Sequence, residues 1–460
     1  MGELDTKLGE VSLNDSNTYK ATPFGKEMAK HFLFEPGWRN LNHDQGSFGT
    51  IPRAIREKQR QYQDASEARP DEFIRYTYPR TLDESREALG KLLNVPTDTV
   101  VFVPNATTGI NTVLRNLAWN EDGKDEVLYF STIYGACGLT IRYVSEASRG
   151  LVQPRQITFQ YPIEDDELVG LFEKAIEASK AEGKRPRAAV FDVVGSLPGL
   201  RVPYERYIEI CKRESMYSIV DGAHGIGHVS LDLSKLDPDF FVSNCHKWLF
   251  VPRGCAVFYV PERNQDLMRT TLPTSHGFVP KGSRPFNPLP PSAKSVFVNQ
   301  FEFVGTIDNS SYLCTTEAIK WRQEVCGGEK AIMDYCSGLS REGGKAIAKI
   351  LGTKVLDNST NTLTDCCLVN VLLPLEIGTC NIEAFFKINE DTKMQAHQWM
   401  LETLIKDYKT FIAIAVLDDK WWARLSGQVY LEMEDFEWAG HALKELCARV
   451  GDGEYLKKEK

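Results

Sequence analysis

A lysine at the end of an apolar run is the first residue in this chain that could do chemistry. Phe240-Phe241-Val242 leads into Ser243-Asn244-Cys245-His246-Lys247-Trp248-Leu249-Phe250, and the turn Pro252-Arg253-Gly254 follows. Burying a charged ammonium costs several kcal/mol, so a lysine placed here is paired, shifted towards neutrality, or covalently committed. A neutral lysine amine is a nucleophile towards aldehydes. Taken alone, the stretch is as well explained by a lysine that snorkels to the surface from a strand end.

A second apolar strand upstream changes that balance. Tyr217-Ser218-Ile219-Val220-Asp221-Gly222-Ala223-His224 ends in a carboxylate, and a group at the carboxyl end of a parallel strand faces the ligand crevice above the sheet. An aldehyde cofactor with a pyridine ring, pyridoxal phosphate, needs both groups: a lysine for its aldehyde and a carboxylate that keeps its ring nitrogen protonated. The pair Asp221-Gly222-Ala223-His224 and Ser243-x-x-His246-Lys247 resembles the cofactor signature of class V aminotransferases. These form the fold-type I branch that includes cysteine desulfurases and isopenicillin N epimerase-like proteins. The likeness runs over nearly the whole chain. It implies an α/β fold, a mainly parallel sheet flanked by helices with a smaller α+β C-terminal domain.

The resemblance also implies roles. The strand Thr99–Val103 runs into Asn105-Ala106-Thr107-Thr108-Gly109, which opens an amphipathic helix through Ile110, Val113, Leu114 and Leu117. By itself this is a Thr/Asn N-cap whose free N–H groups suit an anion; by resemblance, Thr107 and Thr108 hold the cofactor phosphate, as do Ser243 and His246. His224 is placed against the ring oxygen, and Tyr134, where desulfurases have histidine, is stacked on the ring with a hydroxyl able to pass a proton. Thr306 in Phe303-Val304-Gly305-Thr306 matches a residue that reaches the phosphate of a neighbouring subunit, which implies a homodimer with shared sites. Leu41-Asn42-His43-Asp44-Gln45-Gly46-Ser47-Phe48-Gly49 matches the family's substrate entrance, with Asp44 and Gln45 as extra residues. His43 and Ser47 therefore read either as substrate-binding groups or as a turn before the helix that starts at Arg53. Asp192 and Ser196 stand near the site or cap loops. His228 reads as structural. The run Gly222-x-x-Gly225-x-Gly227 has the wrong spacing for a dinucleotide loop.

Arg424 interrupts the apolar strand Trp421–Tyr430. Its fork suits an amino-acid carboxylate, or alternatively an ion pair with an acid such as Asp435.

The elements that carry these groups divide into an N-terminal arm and entrance segment (1–60), a large cofactor-binding domain (61–316) and a small C-terminal domain (317–460). A net charge of −9 over 460 residues excludes the basic footprint of a nucleic-acid binder. No run approaches the roughly 20 apolar residues of a membrane span, so the expectation is a cytoplasmic protein. The 11 cysteines are scattered without repeated CxxC spacing, and read as free thiols rather than disulfides or metal ligands.

Within the family, Tyr134 and the absence of a recognisable mobile cysteine loop are similar to lyases that cleave the carbon–sulfur bond of a cysteine S-oxide by β-elimination, releasing a sulfenic acid with pyruvate and ammonia. A cysteine desulfurase, an epimerase-like amino-acid enzyme, and a catalytically inactive protein that merely binds the cofactor remain the alternatives.

Overall fold

A computed structural model describes residues 18–40, 47–284, 289–290, 292–378 and 385–457. Seven strands form the large sheet: β1 (Val100–Val103), β2 (Asp125–Phe130), β3 (Val152–Ile157), β4 (Arg185–Asp192), β5 (Tyr217–Asp221), β6 (Phe240–Ser243) and β7 (Ala256–Tyr259). They lie in the order β1-β7-β6-β5-β4-β2-β3. Strands β3, β2, β4, β5 and β6 run parallel, and β7 is antiparallel to both β6 and β1.

Alternation along the strands covers both faces, as a parallel sheet flanked by helices requires. Val101, Val103, Val127, Tyr129, Phe240 and Val242 enter one apolar cluster with Ile110, Val113 and Leu114. Phe102, Leu128, Phe130, Val220 and Phe241 enter the other, with Tyr207 and Trp321. The helix Ala106–Asn116 lies close against β6, since a Cβ added at Gly109 would meet a Val242 methyl at 2.6 Å. A side chain there would push the helix off the strand that leads into Lys247.

The second sheet has the order β10-β11-β8-β9, with β8 (Leu368–Ile377), β9 (Phe386–Ile388), β10 (Ala413–Leu417) and β11 (Lys420–Ser426). Helices Glu329–Leu351 and Met433–Gly451 pack on it, and Gly344 leaves only room for Val369 to approach: a Cβ there would be 2.3 Å from its Cγ2. The N-terminal arm is tied to this part of the chain through Gly25 N–H to Val429 O, 2.8 Å, and Lys26 N–H to Glu432 Oε1, 2.9 Å. The two sheets meet at Gly199, whose backbone exchanges two hydrogen bonds with the Asn370 amide of β8, at 3.1 and 2.9 Å. That junction brings Arg424 of β11 to the Ser196 carbonyl in the loop that follows β4. Among the described residues no helix is long and apolar enough to cross a membrane, and ten cysteines are free and buried.

Candidate active site

Asp221 closes β5 and pairs in register with Val242 of β6 and Asp192 of β4. Its carboxylate is buried, accepting the Ala223 N–H at 2.9 Å and the Cys137 thiol at 3.2 Å. Burial raises its pKa, while those two hydrogen bonds and the Lys247 charge oppose the rise. Asp192 beside it is held well above the usual carboxylate range, first by burial and then by Asp221. Each of the two adjacent carboxyls disfavours the charge of the other, and Asp221 is the one with donors to stabilise a negative charge.

Lys247 stands on a single helical turn, Cys245–Trp248, directly after β6. Burial drives its pKa down to about 8; Arg424 adds to the depression, and Asp221 and Asp192 resist it. Its Nζ lies 2.9 Å from His224 Nε2, and Trp248 Nε1–H donates to His224 Nδ1 at 3.1 Å. Burial, then the charges of Lys247 and Arg424, keep the His224 ring neutral, with a pKa well below the ordinary value.

Arg424 descends from β11 into the same space. It donates to the Ser196 carbonyl and, at 3.0 Å, to Ser47 Oγ. Burial alone lowers its pKa to about 10. Asp435 is engaged elsewhere, with Arg39 at 3.2 Å and with the Glu432 N–H at 3.0 Å. The ion-pair alternative with Asp435 is therefore set aside. Because Ser47 Oγ accepts from Arg424, its own hydrogen remains to be donated, so fork and hydroxyl together suit a carboxylate.

The end of the entrance segment, Phe48-Gly49, is strapped down beside the lysine. Arg253 donates to Gly49 O at 2.6 Å and to Phe48 O at 3.2 Å. Gly49 has φ +77°, and a Cβ on it would lie 1.5 Å from His246 O, so only glycine fits. His43 and Asp44 lie outside the described residues.

At the helix Ala106–Asn116, Asn244 Oδ1 takes the Ala106 N–H and Asn105 Oδ1 takes the Thr108 N–H, both at 2.8 Å. Thr107 is left as the first-turn residue whose amide no cap consumes among the described residues, while the half-buried Thr108 donates its hydroxyl to Asn105 Oδ1 at 3.1 Å.

Two expected phosphate contacts are revised. Ser243 Oγ is fully buried, donating to Gly222 O and accepting the Ile226 N–H at 2.9 Å, so it secures the turn after Asp221. His246 Nδ1 lies 2.8 Å from the Cys255 carbonyl and must carry the proton, leaving a bare Nε2 on a ring whose pKa burial lowers to about 4. It donates to a phosphate only after gaining a second proton.

Tyr134 precedes the helix Gly135–Ala147 and is 50% exposed at its start. Thr306 is exposed, while its neighbours Val304, Gly305 and Ile307 share a cavity of about 250 Å³ with Thr108. The residues that the sequence reading passed over are Cys137, Trp248 and Arg253. Cys137 was detectable as the residue one helical turn beyond Tyr134. Trp248 was detectable because a buried indole N–H needs an acceptor.

A buried carboxylate, a near-neutral amine and an uncapped helix amide around one space fit pyridoxal phosphate, which is the cofactor of this site. The Aminotransferase class-V family matches residues 50–371. The chain belongs to that family. It is 39% identical over 448 residues to the L-cysteine desulfhydrase-like protein lolT2 of Epichloe uncinata, covering 94% of this chain and 95% of that protein. It is 31% identical over 425 residues to the hercynylcysteine sulfoxide lyase of Schizosaccharomyces pombe, covering 92% and 98%. Among solved structures, the cystine C–S lyase C-DES in complex with cysteine persulfide superposes with a TM-score of 0.69 at 18% identity, covering 89% of this chain and 98% of that one. That likeness shows the fold, and it agrees with the expected large sheet and smaller C-terminal unit.

Proposed function

We propose that this class V enzyme is a carbon–sulfur lyase that performs β-elimination on S-substituted cysteines, with hercynylcysteine sulfoxide as substrate, yielding ergothioneine by way of its sulfenic acid, together with pyruvate and ammonia. The observation that carries the reading is the convergence of the half-buried Lys247 with the buried Asp221 and Arg424, whose charges both act on its amine. When bound, pyridoxal phosphate supplies an electron sink that acidifies the substrate Cα–H.

The chain's own groups do the rest. Asp221 would pair with the ring nitrogen and keep it protonated. Arg424 and Ser47 hold the α-carboxylate. Lys247, with a pKa lowered to about 8, accepts the Cα proton as a free amine. The Cα–H pair then forms the new C=C bond while the C–S pair leaves on sulfur. Tyr134 gives the departing sulfur a proton, and the three-carbon remainder takes up water to become pyruvate and ammonia.

The desulfurase alternative needs an accessible cysteine to receive sulfur. Every described cysteine is buried, and Cys137, beside Asp221, has its thiol pKa pushed far up by burial. Cys380 lies outside the described residues. The assay is a panel of L-cysteine, S-alkyl cysteines and their S-oxides, including hercynylcysteine sulfoxide. Equal pyruvate and ammonia with an S-oxide preference is the expected result. Alanine as the product assigns a desulfurase, an inverted amino acid an epimerase, and inertness towards the whole panel overturns the reading. Tyr134→Phe should lower kcat by about 10²–10⁴ with little change in KM.

A further inference from the structure

A chain of hydrogen bonds runs from the small sheet to the lysine, and its polarity can be assigned link by link. Cys367 N–H donates to His228 Nε2 at 2.8 Å. A backbone N–H only donates, so that ring nitrogen carries no proton. His228 Nδ1, 2.9 Å from the His224 carbonyl, must then be the protonated one. The His228 ring stacks on Trp248, with centroids 3.9 Å apart and planes at 17°, which orients the indole. The Trp248 Nε1–H, again only a donor, is directed at His224 Nδ1 at 3.1 Å. His224 Nδ1 is therefore the bare nitrogen, and the neutral ring has its proton on Nε2, facing Lys247 Nζ at 2.9 Å. An ammonium has no lone pair to accept that N–H. A free amine has.

We propose that Trp248, oriented by His228, is a positioning residue that fixes the Nε2–H form of His224 and thereby holds the Lys247 amine as the free base that captures the cofactor. The idea deepens the reading of Lys247 as an amine nucleophile and base, and does not depend on which S-substituted cysteine is cleaved.

The other groups facing this pair do not set the tautomer. Lys247 is also faced by Asp221, Asp192, Arg424 and Cys137, and His224 by Arg424, His228 and His246. The carboxylates favour the ammonium, so the indole works against them, together with burial and Arg424. Trp248 is buried and its neighbours Leu249 and Phe250 lie in the core, which makes Trp248→Phe the appropriate change: it keeps a ring on His228 and removes only the donor.

Two measurements on the full chain test this. In the unsubstituted protein, with histidine ring nitrogens labelled with nitrogen-15, long-range nitrogen–proton spectra should show His224 as the Nε2–H form; an Nδ1–H form overturns the proposal without any variant. In the second, pyridoxal phosphate is added to the cofactor-free chain and the rate at which bound-cofactor absorbance appears is followed against pH. For the parent the rate should rise with a midpoint near 8. For Trp248→Phe the midpoint should move up by about one pH unit, a tenfold change in the protonation equilibrium. A structural role alone would lower the final extent of capture without moving the midpoint, and an unmoved midpoint contradicts the proposal.

Discussion

The Cys137 thiol donates to Asp221 Oδ2 at 3.2 Å, and both residues are buried. It helps keep the carboxylate charged, against a burial cost that otherwise favours its protonated form. Cys137→Ala removes that donor. A hydrogen bond to a charged group contributes about 1.5–3 kcal/mol and a thiol is a weak donor, so at the low end of that range cofactor affinity measured by equilibrium dialysis should fall by roughly 10-fold. Cys137→Ser, which restores a donor, should recover most of it.

Arg424 contacts Ser196 and Ser47 across the junction of the two sheets. Arg424→Lys preserves the charge and loses the fork. Charge-assisted hydrogen bonds contribute about 1.5–3 kcal/mol, so KM for any amino-acid substrate should rise by roughly 10- to 150-fold. The visible absorbance of the bound cofactor should stay as it is, which separates substrate binding from cofactor binding.

His228 is buried, and burial lowers its pKa to about 3. The unfolded chain takes up a proton on it near pH 6.5 while the folded chain does not. Its stabilising contribution is therefore complete above about pH 6.5 and is lost as the pH falls towards 3. In that window each such histidine adds a slope of up to about 1.4 kcal/mol per pH unit. Urea midpoints recorded between pH 6.5 and 4.5 should fall less steeply for His228→Gln than for the parent, whatever the variant's absolute stability.

The proposed assembly turns on Thr306. It is exposed in a loop beside the apolar Ile307, which is 59% exposed, and we propose that it completes the phosphate site of a second copy. Lys247→Ala and Thr306→Arg chains should each be inactive and regain activity when mixed and allowed to exchange. No recovery, with exchange verified by mass, would place both groups in one chain.

Much of this site was legible because its parts are local. Asp221 closes one apolar strand and Lys247 stands on the turn that follows the next, and the two strands lie side by side in register. The helix opening at Ala106 showed its N-cap and apolar face within eleven residues. What escaped was set by distant neighbours. Ser243 looked free to bind phosphate, yet its hydroxyl serves a turn that begins at Gly222 on the adjacent strand. His246 is committed by the Cys255 carbonyl beyond the next loop. Arg424 finds its partners on segments more than two hundred residues away, while Asp435, nearby in sequence, is used by Arg39 and a helix cap. The reversed direction of β7 leaves no mark in a four-residue apolar run that is buried on both faces.

The central claim is that Lys247 is the amine that carries the cofactor and moves the substrate proton. Reducing the purified holoenzyme with borohydride, digesting it and locating the pyridoxyl mass on a peptide tests this most directly. The account predicts a single labelled peptide containing Lys247, with the label lost in Lys247→Ala. A label on any other lysine, or on none, would contradict it.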